Sequence, residues 1–396
     1  MDNQKKVNIK KIFLCGGIII ILIFCLFRKN INELINNIEF KMNYDVKLEK
    51  LESKMIEERE NYKYSQLCDG RILITGGNLF SQNLKSTEIF DPKTGKFSKG
   101  PDMNYPHRYH RQYTTNSCDV IIADTNCFET YNSNENKFET WKNSSIKNRL
   151  NSNTAKIYGV SYIFDYLNNK LLVTGGFLFD ENNKKGKSLK NAFVVDVKQQ
   201  NVRQIENMPF SIYHHNSILL DNYVIIWGGN SDFSSKYLKF DFKNNKFKSY
   251  DFGESLYTMK RNKCFVSQNR DIFCLNYHPN ECDRCWFSID YVPNKYRFID
   301  KINFEKKSRD KFSVPDIIFG IESEEDSTNE YFTKDGNIIF LAKNCKDPYL
   351  LMYSIHNNKF LKMKINRLNI KNLIKLNDNL ILLIDDVGHS YILRME

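Results

Sequence analysis

An eight-residue phrase recurs six times in this chain and constrains its fold more than any other feature. The copies are Phe90–Phe97 (FDPKTGKF), Tyr131–Phe138 (YNSNENKF), Val195–Val202 (VDVKQQNV), Phe240–Phe247 (FDFKNNKF), Ile289–Tyr296 (IDYVPNKY) and Tyr353–Phe360 (YSIHNNKF). Each opens on an apolar residue, passes through a polar turn and closes on a second apolar residue, usually aromatic, seven places after the first. Two short strands joined by a tight turn aim both large side chains at the same face. Successive copies start 41 to 64 residues apart. Repeats of that length build a stacked or radial array, because one unit cannot bury its own faces.

The residues upstream complete the unit. Three copies follow an apolar strand that ends in a glycine pair: Gly76-Gly77 after RILIT, Gly175-Gly176 after KLLVT and Gly228-Gly229 after YVIIW. A glycine pair lets the chain turn with positive φ and lets a neighbouring backbone approach closely. The other copies keep the apolar strand without the glycines, in DVIIAD (119–124), DIFCLNY (271–277) and NIIFLAKN (337–344). With a further strand upstream of most, each unit has four strands. A glycine pair followed at fixed spacing by two aromatics, with Phe90 and Phe97 or Phe240 and Phe247 as the clearest cases, resembles the kelch repeat. That resemblance implies an all-β fold, a β-propeller with one four-stranded blade per repeat. Residues 69–110 carry it best, and it extends over 62–396 through the spacing. Six full copies are followed by two more strands in Asn379–Glu396 that stop before the phrase. A ring closed by a strand from the other terminus removes exposed edges. Seven blades, the last completed by a segment N-terminal to Tyr62, are therefore expected, with six as the alternative.

The N-terminus reads differently. Ile12–Phe27 is free of charge, and twelve of its residues are Ile, Leu or Phe. At mid-helix these favour membrane insertion by about 6 kcal/mol. Lys10 and Lys11 can snorkel and lengthen the span. The run ends in FCLF and Arg28-Lys29 without a small-residue processing site, which reads as an uncleaved anchor rather than a signal peptide. Four lysines precede the span and two basic residues follow it closely. The positive-inside rule then leaves residues 1–11 in the cytoplasm and the propeller on the other side. Between anchor and propeller, residues 28–61 carry apolar positions in steps of three, four and seven, which predicts a helical stalk. The segment 38–42 also alternates and is a candidate closing strand.

The formal charge of +11 is spread over an Asn-, Lys- and Ile-rich chain without an Arg-rich stripe, so no nucleic-acid partner is expected. The region after Cys264 holds one set with ligand-like spacing: Cys274, His278, Cys282 and Cys285. Two such pairs across a turn can make a zinc site. With only one CxxC, a disulfide within Cys274, Cys282 and Cys285 is the simpler reading, Cys274 facing Cys285 across a hairpin. No metal and no cofactor are expected. His110 and His214-His215 fall where kelch repeats carry a packing histidine, and His107 has no partner in sequence. Kelch-type propellers include a copper radical oxidase and a sialic-acid epimerase, but the oxidase's Tyr–Cys cross-link and paired His ligands match no positions here. Two stretches break the period, 142–166 and 297–334, the second with acidic Glu322, Glu324, Glu325 and Asp326. Loops of this kind carry ligand sites in propellers. The functional expectation is a membrane-anchored binding module for a protein or a glycan. The competing class is an extracytoplasmic carbohydrate-active enzyme with its site at the propeller axis.

Overall fold

The computed structural model describes residues 46–150, 155–180, 182, 184–229, 235–256, 263–267, 270–277, 296–313, 330–332, 337–343, 348–354, 359–364, 370–377, 379–385 and 387–395. Among these residues the chain is all-β apart from one turn of helix, Ile146–Arg149. The strands form seven four-stranded antiparallel sheets and two small accessory ones. In six of the seven sheets the strands run edge to edge in sequence order, with a pair of accessory strands inserted after the second strand in the first and third of them. The first sheet holds Lys63–Gln66, Ile72–Thr75, Thr87–Asp91 and Lys96–Lys99, and the second holds Arg111–Thr114, Val120–Ala123, Phe128–Asn132 and Lys137–Thr140. The last sheet differs. It takes Ile370–Asn377, Leu380–Asp385 and His389–Met395 from the C-terminus, and its outer strand is Val46–Lys54.

The second strands are the most apolar stretches in the repeats, and they are buried on both faces: Ile72–Thr75, Val120–Ala123 and Leu380–Asp385 bury nearly every residue. The fourth strands alternate or are mostly exposed, as in Lys137–Thr140, where only Phe138 is buried. The repeated phrase is the joint between third and fourth strands. Phe90 pairs in register with Phe97, Tyr131 with Phe138, and Phe240 with Phe247, and the paired rings sit 4.7 to 5.2 Å apart. The polar middle has its own cause. Asp91 and Asp241 each accept a backbone N–H two residues on, and the sixth residue of the phrase takes positive φ: Gly95, Asn136, Gln200 and Asn245. Short polar side chains and glycine tolerate that conformation best.

Neighbouring sheets meet through their first strands. Tyr113 Oη donates to the Tyr162 carbonyl between the second and third, and Ser161 hydrogen-bonds Ser217 between the third and fourth. Between sheets lie apolar layers such as Leu220, Ile225 and Trp227 against Ile272, Ile302 and Phe304. The last sheet packs on the first: Tyr64 Oη donates to the Leu373 carbonyl, and Ile72, Ile74 and Phe90 share a cluster with Ile374, Leu382 and Ile392.

Three sequence expectations need correction. Part of the expected helical stalk, Val46–Lys54, is a strand paired with His389–Met395. Its helix-like spacing of Leu48, Leu51 and Met55 arises because an outer edge strand buries little, and only Leu51 and Met55 reach the core cluster. The stretch 297–334 is not a loop insertion over its first half. Tyr296–Asn303 and Ser308–Ser313 are the third and fourth strands of the fifth sheet. The turn between them runs from Ile302 to Arg309, with Lys307 at positive φ. The fifth phrase is thus Ile302–Arg309, disguised because it closes on arginine, and not Ile289–Tyr296. Within 142–166, Ser161–Asp165 is the first strand of the third sheet, and Lys156–Tyr158 joins a small sheet with Phe177–Asp180 and Lys185–Ser188. No helix among the described residues is long and apolar enough to cross a membrane; the Ile12–Phe27 run and the acids at 322–326 lie outside the described residues.

Candidate functional site

Strand direction sorts the connections into two ends. Links after second and fourth strands emerge at one end; links after first and third strands, including all the repeated phrases, emerge at the other. The first end carries the chemistry. There the segment between the first and second sheets places His107, almost fully buried, against the turn that joins the second sheet's middle strands. His107 Nδ1 lies 2.6 Å from Asp124 Oδ2, and its Nε2 lies 3.0 Å from Glu129 Oε1 and 3.9 Å from Cys127 Sγ. Asp124 is held by a turn of its own, its Oδ1 accepting from the Asn126 and Cys127 backbone N–H groups. Glu129 is buried and accepts from Asn104 N, Asn104 Nδ2 and Tyr105 N.

Burial alone would depress the basicity of His107. Hydrogen bonds to Asp124, Cys127 and Glu129 outweigh it and push the imidazole up to about 11, which favours the imidazolium between two carboxylates. Burial pushes the Cys127 thiol above its ordinary range. His110, 5.6 Å away ring to ring, goes the opposite way: full burial and the His107 charge hold it well below the ordinary range. Thr75 Oγ1 donates to Gln112 Oε1 and therefore accepts from His110 Nε2 at 2.8 Å, which places a proton on Nε2. His215 stands in the same relation to Thr174, 2.9 Å away. Two histidines thus brace the strand ends that precede glycine pairs, and a third sits between two carboxylates.

The first sheet contains the same construction in other residues. Glu88 accepts from Ile56 N, Glu57 N and Arg59 Nη2, just as Glu129 accepts from Asn104 N, Tyr105 N and His107. Arg59 Nη1 reaches the carbonyls of Gly76 and Ser86, and Nη2 reaches Ser86 Oγ. In register, Thr75 corresponds to Ala123 and Thr87 to Phe128, so Arg59, Gly76, Ser86 and Glu88 become His107, Asp124, Cys127 and Glu129.

The glycine pairs lie at this end too. Gly76 and Gly77 adopt φ of +57° and +92°, and Gly77 N donates to the His107 carbonyl. Gly175 and Gly176 repeat this with the Ile212 carbonyl, and Gly228 and Gly229 both have φ of +70°. Several large apolar side chains are exposed at this end. Phe80 is 92 % exposed on a hairpin, Asn78–Leu79 with Gln82–Asn83, and Ile56, Tyr105, Tyr158 and Val387 are exposed on other links of the same end.

The cysteines expected to carry chemistry sit elsewhere. Cys274 is bridged to Cys264, its register partner on the adjacent strand, with Cα atoms 4.2 Å apart. Pairing of Cys274 with Cys285 is therefore corrected: Cys274 is already bonded to Cys264, which faces it on the adjacent strand. His278, Cys282 and Cys285 lie outside the described residues. A second disulfide, Cys68–Cys118, ties the turns after the first strands of the first two sheets at the opposite end. The period offered a signal for it, since both cysteines fall in the turn between the first and second strands of their sheets. Nothing in the sequence paired His107 with Asp124 or Glu129.

This geometry agrees with what the chain resembles. The kelch motif, as a family, matches residues 66–104. That segment is similar to a kelch motif. Among solved structures, virginiamycin B lyase from Staphylococcus aureus is similar in fold: a catalytically inactive variant with quinupristin superposes with a TM-score of 0.53 at 8% identity, covering 88% of this chain and 99% of that one. The selenomethionine-substituted lyase gives 0.52 at 9% identity with the same coverage. At these identities the likeness is one of fold, a propeller-like arrangement of antiparallel sheets. No curated protein sequence matches the chain.

Proposed function

We propose that this chain is a membrane-anchored kelch propeller of seven blades that binds a protein partner on the non-cytoplasmic side. The observation that carries the reading is the clustering of large exposed apolar side chains at one end: Ile56, Phe80, Tyr105, Tyr158 and Val387 all lie on links after second or fourth strands. Apolar and aromatic groups surrounded by charge suit the centre and rim of a protein interface. Two disulfides favour an oxidising compartment, in keeping with an anchor at 12–27 oriented by its lysines. Seven four-stranded sheets, the last shared between the two ends of the chain, support the blade count.

A photo-reactive residue placed at Phe80 or Tyr105, in cells that display the full chain, should give a discrete protein adduct on illumination. The same residue at Leu167, exposed on the opposite end, should give none. Equal adducts from both ends would refute the assignment of the binding face. A glycan-only adduct at Phe80 would transfer the reading to carbohydrate. Protease added to intact cells should remove the propeller while the first residues stay protected; full-length chain recovered in the soluble fraction would refute the anchor.

A further inference from the structure

We propose that the strand Lys185–Ser188 takes up an acidic, extended segment of the protein partner as a fourth strand of its small sheet, an inference that rests on the protein-binding reading of this end. The first unit shows how little the fold itself needs here. After its glycine pair it makes a hairpin of two-residue strands, Asn78–Leu79 with Gln82–Asn83, and meets the preceding link through the bridge of Glu60 to Asn78. The third unit lengthens both strands to four residues, Phe177–Asp180 with Lys185–Ser188. It also turns the bridge into a third strand, Lys156–Tyr158. The added rungs stand outside the blade, and Lys185–Ser188 is an outer edge of the sheet they make.

The open edge follows from the register. Leu189 N donates to the Gly176 carbonyl, and in an antiparallel pair hydrogen-bonded and non-hydrogen-bonded partners alternate. Ser188 and Gly186, opposite Phe177 and Phe179, therefore turn their N–H and C=O groups away from the hairpin. No group among the described residues meets them there. An extended chain completes such a row by main-chain hydrogen bonds and takes its specificity from alternate side chains. One face beside the edge is aromatic. Phe177, Phe179 and Tyr158 share it by register, and Tyr213 extends it, 5.0 Å ring to ring from Phe177. A methyl on Gly186 would overlap the Phe177 ring, which lies across its backbone, so glycine leaves this face open up to the edge. Lys185 and Lys187 alternate with Gly186 and so project from the other face.

Charge chooses the occupant. Residues 184–190 read KKGKSLK, and all four lysines are exposed. Lys185 has Asp180 as its register partner. Lys184, Lys187 and Lys190 enter no ion pair among the described residues. A second copy of the chain would set these lysines against their like, which is destabilising across strands. A segment with glutamate or aspartate at alternate positions meets them with opposite charge and lays its other side chains on the aromatic face.

The probe is a fluorescently labelled peptide of alternating glutamate and valine, titrated against the purified full chain by anisotropy. It should bind saturably, and its lysine–valine counterpart should not. Ser188→Pro removes an outward N–H at a sheet edge, where proline is tolerated. Its melting transition should stay in place while peptide affinity falls about 5-fold or more. The triple variant Lys184→Glu, Lys187→Glu, Lys190→Glu should lose about 10-fold or more. N-methylation of alternate peptide amides should abolish binding at one set of positions and spare it at the other, because an added strand pairs along one edge. Failure of the acidic peptide to bind would overturn the proposal, as would full affinity in Ser188→Pro or the same effect from both methylated sets. Capture of phosphatidylserine vesicles by the same lysines, indifferent to Ser188→Pro, would assign the strand to a lipid surface and overturn it equally. The two readings separate at Phe80: a protein adduct there that persists undiminished in both variants leaves the protein interface standing and overturns strand addition.

Discussion

Alanine at Gly76 should destabilise the protein far more than alanine at Gly70, although both glycines have positive φ, +57° and +90°. The left-handed region costs an L-residue about 1–2 kcal/mol by itself. At Gly70 nothing lies within 4 Å of the added methyl, so that strain is the whole cost. At Gly76 the new carbon would overlap the His107 carbonyl oxygen and crowd Met103 Cε at 3.1 Å. A methionine tip can move; a backbone carbonyl cannot move without carrying its hydrogen bond with it. That carbonyl accepts Gly77 N at 2.8 Å, and leaving a buried donor unmet costs about 1–3 kcal/mol more. Gly76→Ala should therefore lose about 3–4 kcal/mol and Gly70→Ala about half of that. Urea titration followed by far-ultraviolet circular dichroism measures both, with the change in midpoint multiplied by the slope. Two variants within about 0.5 kcal/mol of each other would refute the claim that close backbone approach, and not conformational freedom alone, demands glycine in the pair.

Other perturbations follow from the same contacts. Glu88→Ala removes one of the two carboxylates that hold the fully buried Arg59 guanidinium, Glu57 remaining, and leaves the Ile56 and Glu57 N–H groups without their acceptor. It should cost about 3–5 kcal/mol, while Glu88→Gln, which keeps an acceptor, should cost less, and thermal melts rank the two. Replacing Cys68 and Cys118 with serine should destabilise by about 4 kcal/mol and replacing Cys264 and Cys274 by about 3, because the bridges close loops of 50 and 10 residues. Peptide mapping without reductant should recover both bridged pairs, and a free Cys264 would exclude the second.

The all-β fold and its repeat were legible because the turn between third and fourth strands imposes a local chemistry: an apolar pair in register and a polar residue at positive φ. That logic holds for Phe90 with Phe97 and for Phe240 with Phe247. It fails where the pair weakens. Ile302 faces Arg309, so the fifth turn lost its aromatic mark, and a chance resemblance at 289–296 took its place. Val46–Lys54 was obscured for a different reason. An outer strand with one shared neighbour buries too little for period-two alternation to emerge, and Leu48, Leu51 and Met55 simulate a helix. The His107 cluster was illegible in principle from the local pattern. Its partners lie 17 to 22 residues away, and only the register between a link and the following sheet brings them together. Aligning the repeats on their glycines would have exposed the exchange of Gly76 for Asp124.

The shared last sheet also sets a clock. Val46 pairs with Met395, and Ser390 Oγ donates to the Ser53 carbonyl across 337 residues of chain. At a synthesis rate of about 5–20 residues per second, the strand Val46–Lys54 waits on the order of 20 to 70 seconds for the segment it must pair with. Throughout that interval its hydrogen-bonding edge is open, a template for any other strand. The charges of Lys47, Glu49, Lys50, Glu52 and Lys54 lie along that waiting edge, where like copies would meet like charge. The weakly buried, highly charged character that hid this strand in the sequence is thus what keeps a nascent chain from being finished by its neighbour.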